Sequence, residues 1–285
     1  MPFLLSRGAK NIATEVQRWQ YFLLKQGISE VGSIDADFGP GTEKATSLFQ
    51  VKRGLPNTGK LDKATLDLAQ TLGYTVQPNN YYTSKPAGFP KKPTSLTSPS
   101  NASRNNDFTC FNFMQQPFPP RPDAEAIVQK GSCDGSENDW VKAHIITIDI
   151  PQLKFARGYA GRFRCHSKAA PMFAALFARW EADDLLHLIL SYEGCFVPRY
   201  IRGSSPGPAG HGLKKSSAVA DLSNHSFGSA FDINFNDNQR GHPAAAFGAR
   251  GCVRELVESA NAMNIYWGGH FGTIDGMHFE IAKLS

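Results

Sequence analysis

Residues 76–106 constrain the fold of this 285-residue chain more than any other stretch. "VQPNNYYTSKPAGFPKKPTSLTSPSNASRNN" is rich in Pro, Ser, Asn and Thr and has no apolar period. Such a stretch supplies neither a helix face nor a central strand, so it divides the chain into two units. Residues 76–107 therefore read as a linker. Tyr81, Tyr82 and Phe89 leave open the alternative of an extended arm packed over one unit.

Residues 1–75 read as a small three-helix domain. "TEVQRWQYFLLKQG" starts at Thr14, a good N-cap, and ends before Gly27, a good C-cap, with Val16, Trp19, Phe22 and Leu23 at helical spacing. Pro40 and Gly41 open a second helix that buries Ala45, Leu48 and Phe49 and stops at Gly54. Asp62 caps a third. Residues 108–285 mix periods. "AHIITIDI" and "LHLILSY" read as strands, "SKAAPMFAALFARWEADD" as a helix capped by Ser167, and "CVRELVESANAMN" as a second, amphipathic helix. "AFDINF" and "MHFEI" alternate cleanly. Strands interspersed with helices predict an α+β domain with a central antiparallel sheet.

Those two alternating strands carry the chemistry. Phe231, Ile233 and Phe235 share one face, with Ala230, Asp232 and Asn234 opposite; Met277, Phe279 and Ile281 oppose His278 and Glu280. Asp is disfavoured inside a strand, so something must hold its charge. If the strands pair, Asp232 and His278 enter one cleft, and His225 reaches it from the strand entry. Two imidazoles and a carboxylate make a three-ligand zinc site of the catalytic type, which keeps a fourth position open. Asp275, three residues before His278, stands where a general base belongs. Arg199 and Arg202, in the loop "PRYIRG", are candidates for stabilising an oxyanion. Ser223 either contacts substrate or caps a turn. An isolated His-x6-Asp is more often a capped turn than a ligand pair, and the strand of His278 and the nearby Asp275 raise it above that. Glu280 supports a ligand or is a solvated strand residue. His144, His166, His187, His211, His242 and His270 read as surface or core residues.

"SNHSFGSAFDIN", "WGGHF" and "DGMHFEI" together resemble the zinc D-alanyl-D-alanine carboxypeptidases and L-alanyl-D-glutamate endopeptidases. That group includes vancomycin-resistance D,D-peptidases and many phage endolysins. Its pattern is S-x-H-x6-D followed by D/E-x-x-H. The resemblance implies the small α+β fold shared with the Hedgehog signalling domain, Zn2+ on His225, Asp232 and His278, and Asp275 as base. Ser223 takes the pattern's serine, and "GCFVPRYIRG" resembles the arginine-bearing segment. One departure is His270, where the pattern has an aspartate after "WGG". Residues 1–75 resemble the three-helix peptidoglycan-binding domain, through Asp37-Phe38-Gly39, Thr42, Ala45, Phe49-Gln50, Gly54-Leu55 and Gly59. These residues mark a fold first and a binding surface by analogy.

The expectation is a two-domain zinc hydrolase that cuts stem peptides of peptidoglycan, with the L-Ala–D-Glu bond favoured and the D-Ala–D-Ala bond the alternative. A module that binds the polymer raises the local concentration of the cutting site. A binding protein with a decayed peptidase domain is the rival from another class, but all four inferred catalytic positions are chemically competent. A glycan-cleaving enzyme would need paired carboxylates, and the evident ones fall within the metal motif. A net charge of +5 without a long Lys/Arg run suits an anionic polymer better than nucleic acid. No stretch approaches the roughly 18 apolar residues that span a bilayer, so no membrane insertion is expected, and the protein reads as a monomer. "MPFLLSRGAKNIATEV" lacks the apolar core of a signal peptide, which suggests synthesis in the cytoplasm and exit through a holin or a dedicated secretion machine, as for an endolysin or exported lytic effector. Five cysteines exclude complete internal pairing. Cys110 and Cys133 could bridge a loop, but mostly buried free thiols are expected.

Overall fold

A computed structural model describes residues 4–78, 80–86, 88–116, 125–204 and 212–285. His211 lies outside these residues. The architecture is α+β: a helical N-terminal unit, then a C-terminal unit of small antiparallel sheets and helices.

The N-terminal unit consists of α1 (Ala13–Lys25), α2 (Pro40–Lys52) and α3 (Lys63–Thr71). Trp19, Phe22, Phe49 and Tyr74 pack edge-on or stacked in its core. Two buried glutamines organise the loops. Gln20 donates to Asp35 and Thr42 and accepts from the amides of Asp35 and Ala36. Gln50 donates to Thr58 and Thr65 and accepts from the amides of Thr58 and Gly59. Asp62 caps α3 as the sequence predicts, accepting from Thr65 N at 2.9 Å. Thr14 does not cap α1. It lies in the first turn and its hydroxyl donates to the Gly248 carbonyl of the other unit.

The predicted linker is instead a packed arm over its described residues. It holds α4 (Tyr81–Ser84) and α5 (Asn101–Asp107). The rings of Tyr81, Tyr82 and Phe89 surround Phe247 at 5.3–5.6 Å. Tyr81 donates to Glu255 at 2.7 Å, and Arg254 donates to the Phe89 carbonyl at 2.6 Å. The aromatic residues give this stretch apolar area to bury, which its overall polar composition conceals. Direct contacts also join the two units. Tyr21 and Ile34 belong to the core of the second unit, Gln17 donates to the His187 carbonyl at 3.1 Å, and Arg18 pairs with Asp184 at 2.8 Å.

The C-terminal unit runs β1 (Phe111–Gln115), β2 (Ile127–Ser132), α6 (Trp140–His144), β3 (Ile145–Ile148), β4 (Phe163–His166), α7 (Ala170–Ala182), β5 (Tyr192–Gly194), β6 (Lys214–Lys215), β7 (Ala230–Ile233), α8 (Val257–Ala262), β8 (Ile265–Trp267) and β9 (His278–Ile281). Its central sheet has the order β5-β7-β9-β8, all antiparallel. "LHLILSY" is not the predicted strand: Leu186–Leu188 form a 3-10 turn, and β5 begins only at Tyr192. The core under the sheet is aromatic. Phe231 stacks on Phe279 at 5.6 Å and meets Phe173, Phe177 and Trp180. Such ring pairs contribute about 0.5–1.5 kcal/mol each beyond burial.

Cys110 and Cys133 form a disulfide that ties the start of β1 to the end of β2, so the expectation of mostly free thiols holds only for Cys165, Cys195 and Cys252, all buried. The two cysteines flank paired strands, where register brings them together.

His166 and His187 are core residues, whereas His144 is half-buried beside Glu137. Burial lowers the His166 pKa from 6.5 to about 3. The unfolded chain takes up a proton near pH 6.5 that the folded state refuses until about pH 3. Stability is therefore fully present above pH 6.5 and falls with acid, by about 1.4 kcal/mol per pH unit from this group. Thermal unfolding from pH 7 down to about pH 4 should show a falling midpoint, with a shallower slope for His166→Asn.

Candidate metal centre and cleft

The turn from Ser223 to Gly228 sets the first ligand. Ser223 Oγ accepts from His225 N at 3.3 Å and caps a 3-10 turn over Asn224–Phe227. The turn closes on Gly228 at φ +64°, where a Cβ would lie 2.6 Å from the backbone N of His166. Only glycine meets both demands, so β7 leaves the turn directly against β4. Asp232 then sits opposite His278 in the β7–β9 register, with Phe231 opposite Phe279 one step away on the core face. The strand ends sooner than the predicted alternation. Asn234 is left-handed at φ +56° and buried, donating to the Leu188 and Gly251 carbonyls and accepting from Leu190 N. Phe235 therefore leaves the core face.

His225, Asp232 and His278 are buried and converge. His225 Nε2 is 3.2 Å from His278 Nδ1, and Asp232 Oδ1 lies 3.2 Å from the first nitrogen and 3.0 Å from the second. Those separations are close to the roughly 3.3 Å edge of a tetrahedron with 2.0–2.1 Å metal–nitrogen bonds. The outer nitrogens have other partners. His225 Nδ1–H donates to the Cys195 carbonyl at 2.8 Å, and His278 Nε2–H donates to Glu280 Oε2 at 2.9 Å. These partners assign the tautomers and turn both inner lone pairs toward Asp232. Three acceptors facing one point require a positive charge there, a proton on a ring or a metal ion between them. Burial alone works to lower the His278 pKa, but hydrogen bonds to Asp232 and Glu280 and their charges outweigh it and raise it to about 10. Burial likewise opposes the charge on Asp232, and the two imidazoles hold its pKa well below the usual value. The donor set thus fits a small divalent cation that takes N and O ligands.

Asp275 belongs to the same cleft, about 330 Å³ in volume, as do Ser223, His278 and Glu280. Its amide donates to the Gly268 carbonyl at 2.9 Å and its carbonyl accepts from His278 N at 3.1 Å. The carboxyl is free to serve the cleft: Oδ1 is buried without a hydrogen bond among the described residues. Burial is the main cause that raises its pKa to about 6. Arg199 is 7% exposed, its Nη2 4.0 Å from Asp232 Oδ2. Arg202 is half-buried, lies over Phe235 at 5.9 Å and lines the cleft with Arg199. Five of the seven predicted site residues, Arg199, Arg202, Ser223, Asp275 and His278, line this cleft, and His225 and Asp232 line a neighbouring pocket that shares Arg199 and Arg202 with it. His270 does not join the three ligands: its Nε2 donates to the Pro90 carbonyl at 3.1 Å on the arm.

Glu280 is 2% exposed and supports His278 rather than facing solvent, the first of the two readings its strand face allows. Sequence reasoning missed two other kinds of contributor. The Cys195 carbonyl orients His225, and a backbone acceptor leaves no signal in side-chain type. Ser98, Asn101 and Arg104 of the arm line the cleft, although their low-complexity surroundings mark them as linker.

Residues 216–281 match the family model described as D-alanyl-D-alanine carboxypeptidase. Residues 13–68 match that of a putative peptidoglycan binding domain. Both inferred resemblances are borne out. No curated protein and no solved structure matches. The first match contains Ser223, His225, Asp232, Asp275 and His278 but neither Arg199 nor Arg202. Together the matches support a peptidase that acts on peptidoglycan, and the second points to action at the cell wall. Among the described residues no helix is long and apolar enough to cross a membrane.

Two outcomes follow from this geometry. Asp232→Ala and His225→Ala should weaken binding of a divalent ion at least about 100-fold, read by chelator competition. Gly228→Ala should cost about 3 kcal/mol in denaturant unfolding, from the left-handed backbone and the contact with His166 N.

Proposed function

We propose that the protein is a zinc-dependent endopeptidase of peptidoglycan stem peptides, cutting between L-Ala and D-Glu as an endolysin or an exported lytic effector. The observation that carries this reading is the convergence of two imidazoles and a carboxylate at the edge of the cleft that Asp275 and His278 line, in a chain with a peptidoglycan-binding match. In this reading the C-terminal unit has the Hedgehog/D,D-peptidase-like fold.

His225, Asp232 and His278 would hold the Zn2+. When bound, zinc makes water a nucleophile near neutral pH and polarises a carbonyl. The protein's own groups do the rest. Asp275 takes a proton from the attacking water and passes it to the nitrogen of the leaving amine. Its cleft position and an Oδ1 without a hydrogen bond among the described residues support that role. Arg199 and Arg202 offer guanidinium charge to the carbonyl oxygen as it becomes an anion. Arg199 is held in part by donating its Nη1 to the Tyr200 carbonyl at 3.2 Å. Ser223 already accepts from His225 N and lines the cleft, so it holds the ligand turn and offers its hydroxyl to the substrate.

A second reading, D-Ala–D-Ala carboxypeptidase, is favoured by the description of the matching family. The two differ in product. Mass spectrometry of purified peptidoglycan after digestion should show new amino termini at D-Glu for the endopeptidase, and free D-Ala with shortened stems for the carboxypeptidase. Asp275→Ala should bind zinc in the wild-type ratio of about one per chain and lose 10²–10⁴-fold of the rate. Intact stems after digestion by zinc-loaded wild type would sink both readings.

A further inference from the structure

The packed arm reaches the metal centre. Arg104, on α5, is 5% exposed and lies outside both matched regions. Its guanidinium stacks on Phe227 at 4.6 Å and donates to Asn101 Oδ1 at 2.6 Å, to the Leu222 carbonyl at 2.5 Å and to Asn224 Oδ1 at 3.1 Å. Asn224 then donates Nδ2 to Glu280 Oε2 at 2.5 Å. That same oxygen accepts Nε2–H of His278 at 2.9 Å, which leaves Nδ1 toward Asp232 at 3.0 Å.

We propose that Arg104 is a positioning residue for His278, acting through Asn224 and Glu280, so that the segment between the two domains is a working part of the metal centre. The inference rests on reading His225, Asp232 and His278 as metal ligands. Each link in the chain has one permitted direction. A guanidinium only donates, so the Asn224 amide must turn its oxygen to Arg104 and its NH2 to Glu280. An ionised carboxylate only accepts, so Glu280 keeps a proton on His278 Nε2 and leaves Nδ1 as the nitrogen that can give up its own to a metal. Arg104 thus fixes an amide orientation, and through it the place of the carboxylate that sets the tautomer and ring angle of a ligand. Outer partners of this kind are worth about 10- to 100-fold in metal affinity. The arm is itself anchored beside Arg104. Asn101 donates to the Ser217 carbonyl at 3.0 Å, and Ser100 caps α5 by accepting from Ser103 N at 3.0 Å.

The test uses the full chain and two metal readouts: the visible absorption spectrum with cobalt(II), and zinc affinity by competition with a chromophoric chelator. The variants are Arg104→Ala, Arg104→Lys, Asn224→Ala and Lys92→Ala. The last removes the arm's contact with the His270 carbonyl and leaves the relay intact. Arg104→Ala and Asn224→Ala should shift the cobalt bands and weaken zinc about tenfold or more. Arg104→Lys should recover part of the loss, and Lys92→Ala should match the wild type. Asn224→Ala carries the test if Arg104→Ala does not fold. Wild-type spectra and affinity in Asn224→Ala, or an equal shift in Lys92→Ala, would overturn the relay. A wild type that binds neither ion would instead overturn the metal-site reading, and the relay with it.

Discussion

The pairing of β7 with β9 is the constraint on which the rest depends. Asp232 and His278 are direct partners in that register, and Phe231 and Phe279 are the next pair. A slip of one residue would send the carboxylate into the aromatic core and the rings into the cleft. The stacked phenylalanines oppose such a slip through apolar burial, and the charged face opposes it because an unpaired buried carboxylate is costly. One register therefore satisfies the core and the site together.

Around that pair the fold supplies partners that aim the ligands. A backbone carbonyl holds the outer nitrogen of His225, and Glu280 holds that of His278. Each partner fixes a tautomer, and each tautomer turns a lone pair inward. The surrounding charge is balanced unevenly. Arg199 and Arg202 stand on the cleft where an oxyanion would form, and Asp275 stands there without a hydrogen bond for its Oδ1 among the described residues. In the proposed reading, metal holding, proton transfer and anion stabilisation fall to separate groups of this cleft and the pocket beside it.

The two units are not beads on a loose string. Buried Gln17 and Arg18 of α1 reach into the second unit, and the arm packs its tyrosines around Phe247 before it walls the cleft. A polymer held by the first unit would meet the cleft at a set geometry, which favours particular positions along the wall over a wide search.

Sequence alone determined the helical N-terminal unit, the α+β class of the second, and the candidate ligand trio with its nearby carboxyl. Those features rest on local period and spacing, which the chain states directly: alternation at Asp232 and His278, and a cap at Asp62. Tertiary structure decided the rest. It turned the polar segment into a packed arm, because scattered Tyr81, Tyr82 and Phe89 converge on Phe247 far along the chain. It ended β7 at Ile233, because buried Asn234 is satisfied by backbone amides and carbonyls of distant loops. It joined Cys110 to Cys133 through strand register, and it gave Glu280 to His278 rather than to water. Each of these depends on contacts between residues remote in sequence, whose types carry no mark of the partner they will meet.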